Sequence, residues 1–212
     1  MQGISSVITG APILPILQPK SPEQAVAIAG AVRAGGLTNL EVVRRTDAAG
    51  AAITAIREAY PDMIVGMGTV LNEAQVQEAI DVGSQFIVTP TVSPRLLDAL
   101  MAADIPFIPG TASPSDILMA SEYGLTELKF FPAHLNGGAG FLKAVSSIFQ
   151  NIQFCPTGGV SAQNINQYLP LANVFAVGGS WMIPQDKVEA EDWQSITQSC
   201  AEAITLYNEN VQ

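Results

Sequence analysis

The chain has 212 residues, 48% of them hydrophobic, and a formal net charge of −10. That is enough for one domain with a substantial core, a little under the roughly 250 residues typical of a full α/β barrel. Nine scattered basic residues in an acidic chain exclude the basic patch of a nucleic-acid binder, and no apolar run approaches the roughly 18 residues of a membrane span.

Taken in chain order, short apolar runs alternate with amphipathic stretches. The stretch Met1 to Thr9 lacks the basic start and long apolar run of a signal peptide. Strands are expected at Ile13–Leu17, Asn39–Arg44, Ile64–Val70, Phe86–Thr89, Pro106–Pro109, Leu128–Phe131, Gln153–Pro156 and Val174–Val177. Between and after them, helical patterns run over Pro22–Ala34, Ala49–Tyr60, Glu73–Val82, Arg95–Ala103, Ser115–Tyr123, Gly140–Phe149, Ala162–Leu169 and Glu191–Glu209. Capping residues precede many of them (Ser21, Asn72, Ser93, Ser113, Ser161), and Gly35, Gly83 and Gly124 close several. About eight strand–helix alternations with short connections predict a parallel sheet with crossover helices, and the count favours a closed (β/α)₈ TIM barrel over an open doubly wound sheet. No linker or low-complexity tract divides the chain, so residues 1–212 are expected to form a single barrel domain. Cys155 and Cys200 lie far apart in sequence and imply no disulfide framework. A reducing, cytoplasmic setting is expected.

In a barrel the chemistry sits where strands end and the following loops begin. The second strand runs into Leu40-Glu41-Val42-Val43-Arg44-Arg45-Thr46 and the sixth into Glu127-Leu128-Lys129-Phe130-Phe131-Pro132. Side chains alternate faces along a strand. If Leu40, Val42, Leu128 and Phe130 pack outward on helices, then Glu41, Val43, Arg45 and Lys129 point inward. An interior lysine is costly unless neutral or paired. Lys129 and Glu41 are therefore either a structural ion pair or an amine and a carboxylate poised for carbonyl chemistry. Burial and a cation such as Arg45 would favour the neutral, nucleophilic amine, and Glu41 would serve as general acid/base. Lys20, Lys143 and Lys187 fall in loops or helices and read as solvated.

The acidic surface repels anions, so any anion site must be a local exception built largely from backbone N–H groups. Gly158-Gly159 before Ser161, and Gly178-Gly179 before Ser180, follow the last two strands. Glycine-rich turns there either only permit tight loops or cradle a phosphate, and two pairs on adjacent strands favour phosphate. A single histidine, His134, and the absence of a His/Cys/carboxylate cluster with ligand spacing disfavour a metal site. His134, just past Pro132-Ala133, either edges the site or is an exposed loop residue. Cys155 reads as core.

Leu40-Glu41-Val42 with Arg45-Thr46, Val65-Gly66-Met67-Gly68-Thr69-Val70, Glu127 to Ala133, Phe154-Cys155-Pro156-Thr157-Gly158-Gly159-Val160 and Gly178-Gly179-Ser180-Trp181 together resemble the 2-keto-3-deoxy-6-phosphogluconate (KDPG) aldolase / 4-hydroxy-2-oxoglutarate (KHG) aldolase family. The likeness runs from about Pro12 to the last helix, and the order and spacing of five motifs make it specific. It implies a (β/α)₈ barrel, usually a homotrimer, with no metal or other cofactor. It implies that Lys129 is the Schiff-base lysine and Glu41 the general acid/base, that Arg45 and Thr69 hold the pyruvoyl carboxylate, and that Phe131 and Pro90 line the pocket. Gly158, Gly159, Gly179 and Ser180 would hold the phosphate. Val43, where the family often has threonine, Thr91, where glycine is usual, His134, where glutamate is usual, and Asp47 depart from its pattern near the mouth and bear on substrate preference.

The expected reaction is cleavage of KDPG to pyruvate and glyceraldehyde 3-phosphate, with 4-hydroxy-2-oxoglutarate, split to pyruvate and glyoxylate, as a further substrate. The alternatives are an aldolase for the galactonate epimer, a non-covalent phosphosugar isomerase or epimerase barrel, and a non-catalytic phosphosugar-binding protein. An interior Lys129 argues against the last two.

Overall fold

β1 (Ile13–Leu17), β2 (Asn39–Val43), β3 (Ile64–Gly68) and β4 (Ile87–Val88) follow the apolar runs of the sequence, and nearly every residue in them is buried. The computed structural model, which describes residues 3–8 and 10–210, continues the series. β5 is split into Phe107–Ile108 and Gly110–Thr111 by Pro109, which has no N–H to give to a ladder. β6 (Glu127–Phe130), β7 (Gln153–Pro156) and β8 (Val177–Gly179) complete it. All pairings are parallel. β8 joins β1, and β1 to β5 follow in order. The second stretch of β5 carries on to β6 and β7, and a bridge from Thr157 to Gly178 joins the end of β7 to β8. The sheet thus returns on itself as a (β/α)₈ barrel.

The outer helices are α1 (Pro22–Ala34), α2 (Ala49–Ala59), α3 (Glu73–Asp81), α4 (Pro94–Ala102), α5 (Pro114–Glu122) and α6 (Gly138–Val145). Ser21, Asn72, Ser93 and Ser113 each accept a backbone N–H of the first turn, as capping residues should. Ser113 and Asp116 cap reciprocally.

The helix expected over Ala162–Leu169 is not there. Only a 3₁₀ turn, Ile165–Gln167, follows β7. The reason is local: Asn164 spends its side chain on the backbone of the preceding loop, accepting from Ser161 N at 2.9 Å and donating to Gly159 O at 2.8 Å. Such bonds compete with helix propagation. Two helices follow β8: a short α7 (Gln185–Glu189), unforeseen in the sequence, and α8 (Trp193–Asn210). Among the described residues, no helix is long and apolar enough to cross a membrane.

Strand alternation sorts the core into two layers. Leu40, Val42, Leu128 and Phe130 face outward into the sheet–helix layer. The Phe130 ring stacks on Phe141 of α6 at 4.8 Å and meets Phe154 of β7 edge-on at 6.5 Å. The inner layer is a separate cluster of Leu14, Phe86, Val88, Ile108, Cys155 and Ala176, completed by Ile4. Ile4 belongs to an N-terminal 3₁₀ turn, Ile4–Ser6. The turn is tied on by Glu127 at the start of β6, whose carboxylate accepts the N–H of Ser5 at 3.0 Å and its hydroxyl as well. Of the stretch Met1 to Thr9, residues Met1, Gln2 and Thr9 lie outside the described residues.

Candidate active site

Because Phe130 is locked outward, its neighbour Lys129 must point into the barrel. The same logic turns Glu41 inward between Leu40 and Val42. β2 and β6 stand on opposite sides of an eight-stranded barrel, so the two side chains reach toward each other across its middle. They meet there: Lys129 Nζ donates to Glu41 Oε1 at 3.2 Å and Oε2 at 3.4 Å. Lys129 is 5% exposed and Glu41 1%. The space they occupy is opened by glycine. A methyl on Gly68 of β3 would stand 2.6 Å from Glu41 Cγ and 2.7 Å from Cδ, so the missing side chain of Gly68 is the seat of the Glu41 carboxylate. Sequence reading gave Gly68 no role. Its signal was available, since Gly66-Met67-Gly68 clears one face of β3 beside an inward glutamate.

A buried ion pair adds little stability over a well-packed apolar pair, so the Lys129–Glu41 pair, the charged pair of a largely apolar interior, points to chemistry. Moving one proton along the 3.2 Å hydrogen bond converts ammonium and carboxylate into amine and carboxylic acid, which are a nucleophile and a general acid. The Phe131 ring centroid lies 5.4 Å from Lys129 Nζ, within cation–π range. Level with the lysine on β7, burial pushes the Cys155 thiol up to about 12, against a smaller lowering pull from the Lys129 charge. Cys155 is core, as expected.

Above the pair, at the C-terminal ends of the strands, lies a cleft of about 460 Å³. It gathers Arg45, Phe131, Gly158, Gly159, Gly179 and Ser180, together with Val43 and Thr157, and its far wall is Pro184 with Gln185 and Val188 of α7. Six of the expected site residues thus share the cleft, with Lys129 and Glu41 a layer deeper. Thr69 and Pro90 end the neighbouring strands outside its lining. Thr69 has φ 63°, a left-handed conformation that is a true outlier for a β-branched residue. Such strain concentrates at functional sites.

Two expectations need correcting. Arg45 does not share the interior with Lys129. The strand bends just before it, where Arg45 N bonds Val43 O at 2.9 Å, and Arg45 is exposed at the mouth. Its neighbour Arg44 turns aside to Glu78, with Nε 2.6 Å from the carboxylate. Nor are the two glycine pairs alike. Gly178 and Gly179 belong to β8 itself, in register with Leu14 and Pro15 of β1. Gly158 and Gly159 form a true turn, with φ of 89° and 77°.

His134 is exposed, yet it is engaged with that turn. Its Nδ1 lies 3.0 Å from Gly158 O, and its backbone N–H reaches the same oxygen at 3.1 Å. Since a carbonyl only accepts, Nδ1 carries the proton. The imidazole sits where a Gly159 side chain would otherwise be.

The family model described as KDPG and KHG aldolase matches residues 4–199. The chain is 44% identical over 199 residues to the KHG/KDPG aldolase of Escherichia coli (strain K12), covering 94% of this chain and 93% of the relative. It is 42% identical over 198 residues to the 2-dehydro-3-deoxy-phosphogluconate aldolase of Dickeya dadantii (strain 3937), covering 93% of each. Among solved structures, the KDPG aldolase of Legionella pneumophila, with pyruvate captured at low pH as a covalent carbinolamine intermediate, superposes with a TM-score of 0.91 at 37% identity. That match covers 94% of this chain and 97% of the other.

Proposed function

The chain belongs to the KDPG and KHG aldolase family, and from that premise we propose how its own residues carry the reaction. It is a class I, Schiff-base aldolase acting on 2-keto acids, with KDPG cleaved to pyruvate and glyceraldehyde 3-phosphate and 4-hydroxy-2-oxoglutarate as a further substrate. The observation that carries the assignment of roles is the buried Lys129–Glu41 pair, 3.2 Å apart, beneath a cleft walled by glycine-rich strand ends.

Lys129 Nζ attacks the C2 ketone, and the carbinolamine loses water to give an iminium. The Glu41 carboxylate takes the C4 hydroxyl proton as the C3–C4 electron pair flows toward the iminium nitrogen. The aldehyde departs, leaving an enamine. Glu41, now an acid, returns its proton to C3, and water adds to the iminium to free pyruvate and restore the amine. Covalent catalysis divides one high barrier into several lower ones. Arg45 and Thr69 take the pyruvoyl carboxylate, and Phe131 and Pro90 bound the pocket. Gly158, Gly159, Gly179 and Ser180 receive the phosphate. Support for this division comes from the cleft, whose lining brings Arg45 together with the β7 and β8 loops.

The whole chain, residues 1–212, acts as one barrel domain in this reading. It assembles as a homotrimer, for which the exposed Leu118, Leu135 and Ile148 offer apolar surface. It works in the cytoplasm, in keeping with two buried free cysteines. The deciding experiment is incubation with pyruvate and borohydride followed by peptide mapping. The adduct is expected on Lys129 and absent from Lys129→Ala, and label persisting on another lysine overturns the assignment.

A further inference from the structure

We infer that His134 and Asn164 are positioning residues of the phosphate site, acting as a two-point clamp on the Gly158-Gly159 turn. The inference rests on the reading that this turn receives the phosphate. A trans peptide sets its C=O and the following N–H in opposite directions. Whatever fixes the two glycine carbonyls therefore fixes the two amides that follow them.

The carbonyl of Gly158 is held twice by His134, from the backbone N–H at 3.1 Å and from Nδ1 at 3.0 Å. The carbonyl of Gly159 is held by Asn164 Nδ2 at 2.8 Å. Asn164 is braced in turn, because its Oδ1 accepts the N–H of Ser161 at 2.9 Å. Both carbonyls are thus tied away from the site, and the N–H groups of Gly159 and Val160 are left for the cleft that these residues line. Among the described residues, neither N–H has a hydrogen-bond acceptor. Left-handed φ at both glycines (89° and 77°) curls the turn into the concave amide arrangement that favours anions. Without the clamp, either peptide can flip in a turn made of two glycines, presenting a carbonyl oxygen to the phosphate.

His134 acts without touching substrate, and the geometry says what its replacement must supply. The need is a donor at the position of Nδ1. Asparagine places Nδ2 at nearly the same reach from the backbone, whereas alanine supplies nothing and aspartate supplies an acceptor. His134→Asn should therefore retain function where His134→Ala and His134→Asp lose it.

The test is steady-state kinetics on KDPG and on unphosphorylated 4-hydroxy-2-oxoglutarate, with inorganic phosphate as a competing ligand. For His134→Ala and for Asn164→Ala, KM for KDPG should rise roughly tenfold, the equivalent of one positioned hydrogen bond. The ratio of kcat/KM for the two substrates should fall by the same factor, and inhibition by inorganic phosphate should weaken in parallel. His134→Asn should restore the ratio. A merely structural role predicts equal losses on both substrates, and that result, or an unchanged ratio in both alanine variants, overturns the clamp. Phosphate that fails to compete with KDPG in the unmodified enzyme overturns the phosphate reading beneath it. Competition that persists undiminished in both variants overturns the clamp alone.

Discussion

Gly68→Ala probes the placement of Glu41 while leaving both reacting side chains chemically intact. The added methyl would lie 2.6 Å from Glu41 Cγ, while ordinary van der Waals contact begins at 3.4 Å. The side chain must therefore retreat by about 0.8 Å, because a close-packed interior offers no slack. A misplacement of about 1 Å can cost a catalytic group 10²-fold, so kcat for KDPG cleavage should fall roughly a hundredfold. Overpacking should also cost about 1–3 kcal/mol of stability, a fall in Tm of a few degrees for a chain of this size. Gly66→Ala is the control. It lies on the same strand and the same face, but the first atoms its methyl would meet belong to the Phe86 ring. The assay is a coupled measurement of pyruvate release, made well below the Tm of each variant, with borohydride trapping run in parallel. Gly66→Ala should lose stability and keep most of its turnover, while Gly68→Ala should lose turnover yet still trap pyruvate on Lys129. Near-normal turnover in Gly68→Ala, or equal losses in both, would refute the reasoning.

The proton-shuttle role predicts that Glu41→Gln still forms the borohydride-trapped adduct but loses about 10²- to 10⁴-fold in kcat, as expected of a general acid/base; turnover within a few-fold of normal demotes Glu41 to a structural partner. Burial raises both the Cys155 and Cys200 thiols to about 12, so each stays protonated far above neutrality. The native enzyme should hardly react with a thiol reagent at pH 8, while denatured chain titrates both; rapid native labelling contradicts the burial. Phe130→Ala removes the ring held between Phe141 and Phe154 and should cost about 3–5 kcal/mol in denaturant unfolding, with a loss under 1 kcal/mol counting against its role in fixing the β6 register.

The inner and outer faces of the barrel were legible because alternation is a strict rule. Once Leu128 and Phe130 are outside, Lys129 has nowhere to go but in, and the same holds for Glu41 between Leu40 and Val42. What was hidden depended on particular hydrogen bonds and neighbours, near and far in sequence, that no periodicity records. Nothing in the β2 motif says that the chain bends at Val43 and throws Arg45 to the mouth. The pattern over Ala162–Leu169 has helical spacing, but Asn164 is recruited by a loop five residues behind it. Gly178-Gly179 and Gly158-Gly159 look alike as letters and differ as structure, since only the former pair has a strand, β1, alongside to hold it extended. The contact of His134 with the Gly158 carbonyl, across 24 positions, has no trace in either local sequence.

The Ile4–Ser6 turn has a consequence for traffic. With Ile4 fully buried in the inner layer and Ser5 fastened to Glu127, the barrel is stoppered below, and its cleft opens above. In the proposed arrangement the pyruvoyl half of the substrate is fixed to Lys129 at the blind end, and the phosphorylated half stands in the doorway. The aldehyde must leave before anything else can move. The water that releases pyruvate then enters by the path just vacated, and in the synthetic direction pyruvate must be seated before the aldehyde arrives to close the way behind it. The order of departure that the covalent enamine sets is thus matched by the route, through a stopper on the side of the barrel where no chemistry occurs.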